Sequence, residues 1–128
     1  MPALSRAERS DIVHPALSGA RDRLLAKITE LFPTWQDSLP VPALEVPAAD
    51  AYEAAIAQLY ANLYDECGNK SDTWISAREQ AANPKAVTEV YDLISDWYVL
   101  VGAAYLYLGG RARGRFDMEV ERVSARLL

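Results

Sequence analysis

Apolar residues recur at helical spacing along most of this chain, and proline and glycine concentrate where that spacing fails. Over residues 14–32, HPALSGARDRLLAKITELF, the side chains of Leu17, Leu24, Leu25, Ile28, Leu31 and Phe32 fall on one stripe. Arg21, Arg23, Lys27 and Glu30 lie away from it, so the stretch predicts an amphipathic helix. Pro15 suits the first turn of that helix, where its missing N–H is no loss, and Pro33 ends it. Residues 1–13 have weak periodicity and read as a mobile N-terminal arm.

Residues 33–49 form a proline-rich connector, with four prolines in the fifteen residues of PTWQDSLPVPALEVP. Neither a helix nor a central strand tolerates that density. Trp35, Leu39, Val41, Leu44 and Val46 make it too apolar for a solvated tether, so it predicts an extended crossover that buries alternate side chains. A second helix follows over 50–68. Asp50 and Glu53 have the spacing of a capping box, Tyr52, Ile56, Leu59, Tyr60, Leu63 and Cys67 mark its buried stripe, and Gly68 closes it. A short helix is predicted over 72–82, ending at Asn83-Pro84, where Asn83 caps the next helix and Pro84 takes its first position.

That next helix, 84–108, carries Val87, Val90, Ile94, Trp97, Val101, Ala104 and Leu108 in alternating steps of three and four, a heptad seam. Glu89, Asp92 and Asp96 sit opposite the seam and read as a solvated acidic face. From Trp97 to Leu108 no charge remains, so this half is apolar all round. Twelve residues reach about 18 Å as a helix, short of the roughly 30 Å of a bilayer core, and a membrane span is not expected. A helix apolar all round needs protein on every side, and three short neighbours in one small domain cover it only in part. The shortfall predicts self-association or docking to a larger partner. Gly109-Gly110 breaks the helix and opens a basic elbow at Arg111, Arg113 and Arg115, within a C-terminal segment 109–128. In its tail, Phe116, Met118 and Val120 alternate as in a strand, while Phe116, Val120, Val123 and Leu127 recur as on a helix, and the later spacing favours the helix.

Length sharpens this pattern: 128 residues make one domain with a single core. The expected fold is therefore an all-α bundle of four or five helices, with the long proline-rich crossover between the first and second. One cysteine, Cys67, leaves no intramolecular disulfide and suits a reducing compartment, and the charged start lacks the apolar run of a secretory signal, so a cytoplasmic protein is expected. The net charge of −5 is unevenly spread. Residues 1–36 hold five bases and four acids, 37–110 hold three bases and eleven acids, and 111–128 hold five bases and three acids. An acidic middle disfavours nucleic acid as a partner, and basic ends can meet acidic middles of other copies.

Signatures of chemistry are scarce. The chain has no phosphate-binding loop, dinucleotide glycine fingerprint, Cys-x-x-Cys or Gly-x-Ser-x-Gly. His14, the only histidine, has no recognisable nucleophile beside it in sequence and reads as an exposed or capping residue. No Glu-x-x-His pair supports a di-metal carboxylate centre, and DECGNKSD lacks calcium-loop spacing. The two acids before Cys67 raise rather than lower its expected pKa. No catalytic residue, cofactor or metal is therefore predicted. Arg111, Arg113 and Arg115 on glycine-rich backbone can clasp phosphate, but Asp117, Glu119 and Glu121 follow at once, which points to a protein partner or an acidic helix of the same chain. Seven tyrosines and three tryptophans exceed what one small core needs, and such side chains favour interfaces.

These features predict a non-catalytic assembly protein that acts through protein–protein contacts, as a homo-oligomer or part of a larger assembly able to form a ring. Small helical connector subunits of phage heads and tails are of this general kind. The interface candidates are Trp35, Tyr98, Tyr105, Tyr107, Arg111, Arg113 and Arg115, with Trp97, Val101 and Leu108 assigned to the interior. The alternative is an acidic immunity or inhibitor-type protein that presents 37–110 to a basic partner. In a third reading the aromatics line a bundle pocket that takes a small ligand.

Overall fold

The structure, a computed structural model, describes residues 3–38, 44–48, 50–62, 79 and 82–127. It is all-α, and no strand occurs among the described residues. The helices are α1 (Arg6–Leu31), the single turn α2 (Trp35–Ser38), α3 (Tyr52–Asn62), α4 (Pro84–Leu108) and α5 (Arg113–Arg126). The C-terminal tail is thus a helix. The expected short helix over 72–82 and the end of the second helix at Cys67 and Gly68 lie outside the described residues, as do 39–43 and 49 of the proline-rich crossover.

Residues 6–13 are not an arm. They are the first two turns of α1, which starts from a capping box: Ser5 Oγ accepts from the Glu8 N–H at 3.1 Å, and the Ser5 N–H donates to Glu8 Oε1 at 3.0 Å. These bonds to Ser5, the backbone one foremost, hold the Glu8 carboxyl below its ordinary pKa. Pro15 therefore sits inside the helix rather than at its start. Its ring removes the N–H that would donate to the Asp11 carbonyl, and both residues are exposed, so that carbonyl is open to a water donor instead. The buried stripe of α1 is Val13, Leu17, Ala20, Leu24 and Ile28, in steps of three and four.

At the end of α1, Phe32 donates to the Ile28 carbonyl, and Trp35 folds back so that its indole N–H reaches Thr29 Oγ1 at 3.3 Å. Farther along the connector, Leu44 is buried and its carbonyl accepts from Arg21 Nε, while Val46 packs against the core.

α4 is the axis of the bundle. Asn83 Oδ1 accepts from the Ala86 N–H, and Pro84 occupies the first turn. The seam Val87, Val90, Ile94, Trp97, Val101, Ala104 and Leu108 is buried throughout, and α1, α3 and α5 all pack on this helix. Each runs antiparallel to it: Arg6 and Arg9 of α1 and Glu53 of α3 reach the end of α4, while Arg126 of α5 reaches Asp92 near its start.

The end of α4 has every carbonyl matched. Gly109 donates to Tyr105, Arg111 to Leu106 and Gly110 to Tyr107, with Gly110 at φ +83°, a Schellman closure. The last carbonyl, Leu108, accepts from Arg6 Nη1 at 3.3 Å and Arg9 Nε at 3.1 Å, placing two cations at the negative end of the helix dipole. Arg9 is itself held by a further bond from Nη1 to the Leu4 carbonyl. Ala112 then takes a left-handed conformation, φ 56°, to start α5 without a side-chain cap.

Candidate functional site

Three of the seven interface candidates are core residues. Trp35 is buried under the end of α1, Tyr98 is 5% exposed, and Tyr107 is buried with its ring stacked on Phe116, centroids 5.5 Å apart. Tyr98 therefore does not stand out from the interior as the apolar pattern predicted, although with Tyr105 it lines the groove beside Val99 and Gly102. Trp97, Val101 and Leu108 are interior, as expected. Tyr105 is half-buried, and its hydroxyl donates to Glu53 Oε1 at 3.0 Å. That bond, with the nearby Glu53 charge, raises the Tyr105 pKa above the ordinary phenol value. Glu53 thus serves α4 rather than the capping box predicted for its own helix.

The three elbow arginines remain exposed. Arg113 stands 3.7 Å from Asp117 and 5.7 Å above the Tyr107 ring, Arg115 borders an apolar groove, and Arg111 lines a polar cavity at the end of α4. The arginines that meet acids of α4 are two others. Arg122 donates from Nη1 to Asp96 Oδ1 and from Nε to Glu119 Oε2, both at 2.8 Å. Arg126 lies 3.2 Å from Asp96 Oδ2 and 3.8 Å from Asp92. Asp96 is only 6% exposed and Glu119 8%, so Asp96 does not belong to a solvated acidic face. Glu89 and Asp92 are exposed. Bonds to Asp96 first, then Glu119, push the Arg122 pKa above its usual value. This cluster was missed by reading the acids against the apolar seam alone. Its signal is the matched spacing of four, Asp92 and Asp96 on one helix against Arg122 and Arg126 on an antiparallel one.

The uncovered part of α4 is narrow. Val99 is 37% exposed, Gly102 and Leu106 are half-buried, and a Cβ built on Gly102 would meet nothing within 4 Å. With Ile56 of α3, Ala103 and Arg115 they line a groove of about 290 Å³. Tyr105 and Leu106 also line the neighbouring polar cavity, about 370 Å³, with Arg6, Asp50, Tyr52, Glu53 and Arg111.

His14 is exposed on α1. Among the described residues no three His, Cys, Asp or Glu side chains are grouped to hold a metal ion, and no helix is long and apolar enough to cross a membrane. No protein-family model matches the chain, and searches of curated proteins and of solved structures find no match.

Proposed function

We propose that the protein is a non-catalytic subunit that self-associates head to tail through protein–protein contacts, in an assembly able to close into a ring. The observation that carries this reading is the apolar strip Val99, Gly102 and Leu106, open on the uncharged half of α4 and bordered by the exposed Arg115. Charge supports a second copy as its occupant. Arg111, Arg113 and Arg115 cluster at one end of α4, whereas Glu89 is exposed about 30 Å away along the helix, from a rise of 1.5 Å per residue. A basic-rimmed strip on one copy and an acidic end on the next make a heterologous contact, the kind that generates rings. With Arg122 and Arg126 engaged inside the chain, the elbow carries the basic half of that contact. We assign the assembly to the cytoplasm, where a chain with one cysteine needs no disulfide.

Light scattering behind size-exclusion chromatography, across protein and salt concentrations, tests this. Growth of mass with concentration, weakened by salt and abolished by Val99→Asp with helicity intact, is the expected result. A monomer under every condition rejects self-association and leaves the acidic-inhibitor reading, in which Glu89 and its neighbours face a basic protein.

A further inference from the structure

The polar cavity at the end of α4 holds, beside Arg111, charges that self-association does not use. Its walls come from the starts of α1 and α3 and from the elbow. They bring two guanidinium groups, Arg6 and Arg111, into one cavity with two carboxylates, Asp50 and Glu53, and the Tyr52 and Tyr105 rings. Two of these charges are fixed in place: Arg6 by its bond to the Leu108 carbonyl, and Glu53 by the Tyr105 hydroxyl. Tyr52 is buried beneath them. Both guanidinium groups act on the Tyr105 hydroxyl, partly offsetting the rise in its pKa that Glu53 causes, so Arg6, Arg111 and Glu53 share one electrostatic neighbourhood around it. Yet no salt bridge forms between Arg6 or Arg111 and Asp50 or Glu53. Cations and anions together line an open volume of about 370 Å³, within the usual range for small-molecule sites.

A lone anion in this space would satisfy the arginines and be repelled by Asp50 and Glu53; a lone cation meets the reverse. A molecule that carries both charges a few bonds apart satisfies both pairs. We propose that this cavity binds a small zwitterion of the free α-amino acid class, its carboxylate on Arg6 and Arg111 and its ammonium on Glu53 and Asp50. Charge-assisted bonds at both ends give the selectivity, because a ligand lacking either end leaves one pair of protein charges without a partner.

The test is a titration followed by amide chemical shifts, using L-alanine, L-leucine and L-glutamine. Each is compared with its N-acetyl form, which removes the cation, and with its amide, which removes the anion. The expected result is saturable shifts at residues 50–53 and 105–111 for at least one free amino acid, with both derivatives weaker by about tenfold or more, the loss of one charge-assisted contact. Arg111→Ala and Asp50→Asn, both exposed, should each weaken binding to a similar extent while leaving the thermal melt unchanged. Equal binding of the N-acetyl acid or of the amide overturns the zwitterion assignment. An absence of saturable shifts with all three amino acids overturns the site.

Discussion

The two flanks of α4 solve one problem in opposite ways. On the α5 side, the helix presents Asp92 and Asp96 beside apolar neighbours, and α5 answers with Arg122 and Arg126 while Phe116 and Val123 fill the seam. Asp96 is covered with two counter-charges on it, while Asp92 stays exposed with Arg126 3.8 Å away. On the α3 side no acid is present from Trp97 to Leu108, and the covering is thinner: Val99 remains open and Gly102 has free space above it. Polarity in sequence therefore did not mark exposure on this helix. The charge at Asp96 is closed over, and the uncharged half of the helix also holds an opening, at Val99. A buried carboxylate with two arginines on it ties two helices at a fixed register, whereas apolar surface alone sets no register.

The comparison breaks first at Asp96. Asp96→Ala should lower the free energy of unfolding by about 2 kcal/mol in urea titrations, since it removes the carboxylate that Arg122 and Arg126 share beneath α5. Glu89→Ala, on the exposed face of the same helix, should stay within about 0.5 kcal/mol of the parent, and equal losses at both positions would dissolve the distinction. Next is the hinge that brings α5 back along α4. Gly110→Ala should cost about 1 kcal/mol, because φ +83° is strained for any residue with a Cβ. Space is not the obstacle, as the added carbon would sit 3.8 Å from the Arg9 guanidinium, an ordinary contact. On the open flank, Val99→Asp should move stability by no more than about 0.5 kcal/mol while changing the association state. A large loss of stability there would mean the strip is as closed as the α5 side.

The smallest effect is spectroscopic. The Tyr105 pKa is raised in the folded chain, so the stability it contributes is whole below the ordinary phenol value of 10.0 and is lost as pH rises through the raised one. An absorbance titration of the phenolate should show a late-ionising phase that Tyr105→Phe reduces. Tyr52, raised by burial, supplies the remainder of that phase.

The heptad seam of α4 was legible because steps of three and four leave only one face to bury, and every seam residue from Val87 to Leu108 is interior. The turn at Gly109-Gly110 was legible for a similar reason: only glycine takes the left-handed position cheaply. The start of α1 was misplaced because Pro15 reads as a beginning, although SRAE at residues 5–8 spells a capping box upstream. An exposed proline in mid-helix is tolerated when water can take the freed carbonyl, which periodicity does not reveal. Asp96 and Tyr98 were misassigned for a tertiary reason, since periodicity identifies the faces of α4 but not which neighbour lies on each. The polar cavity was invisible for the same reason: Arg6, Glu53 and Arg111 are remote in sequence and meet only where three antiparallel neighbours bring their ends together.

The bonds from Arg6 and Arg9 to the Leu108 carbonyl span 102 and 99 positions of chain. During synthesis α1 therefore emerges long before its anchor exists, and its first turns rest on the Ser5–Glu8 box alone until α4 has formed. Closing so long a loop is entropically slow, so this contact belongs among the last steps of folding. The two arginines then act as a clasp: once it closes, the start of α1 is fixed to a residue made about a hundred positions later.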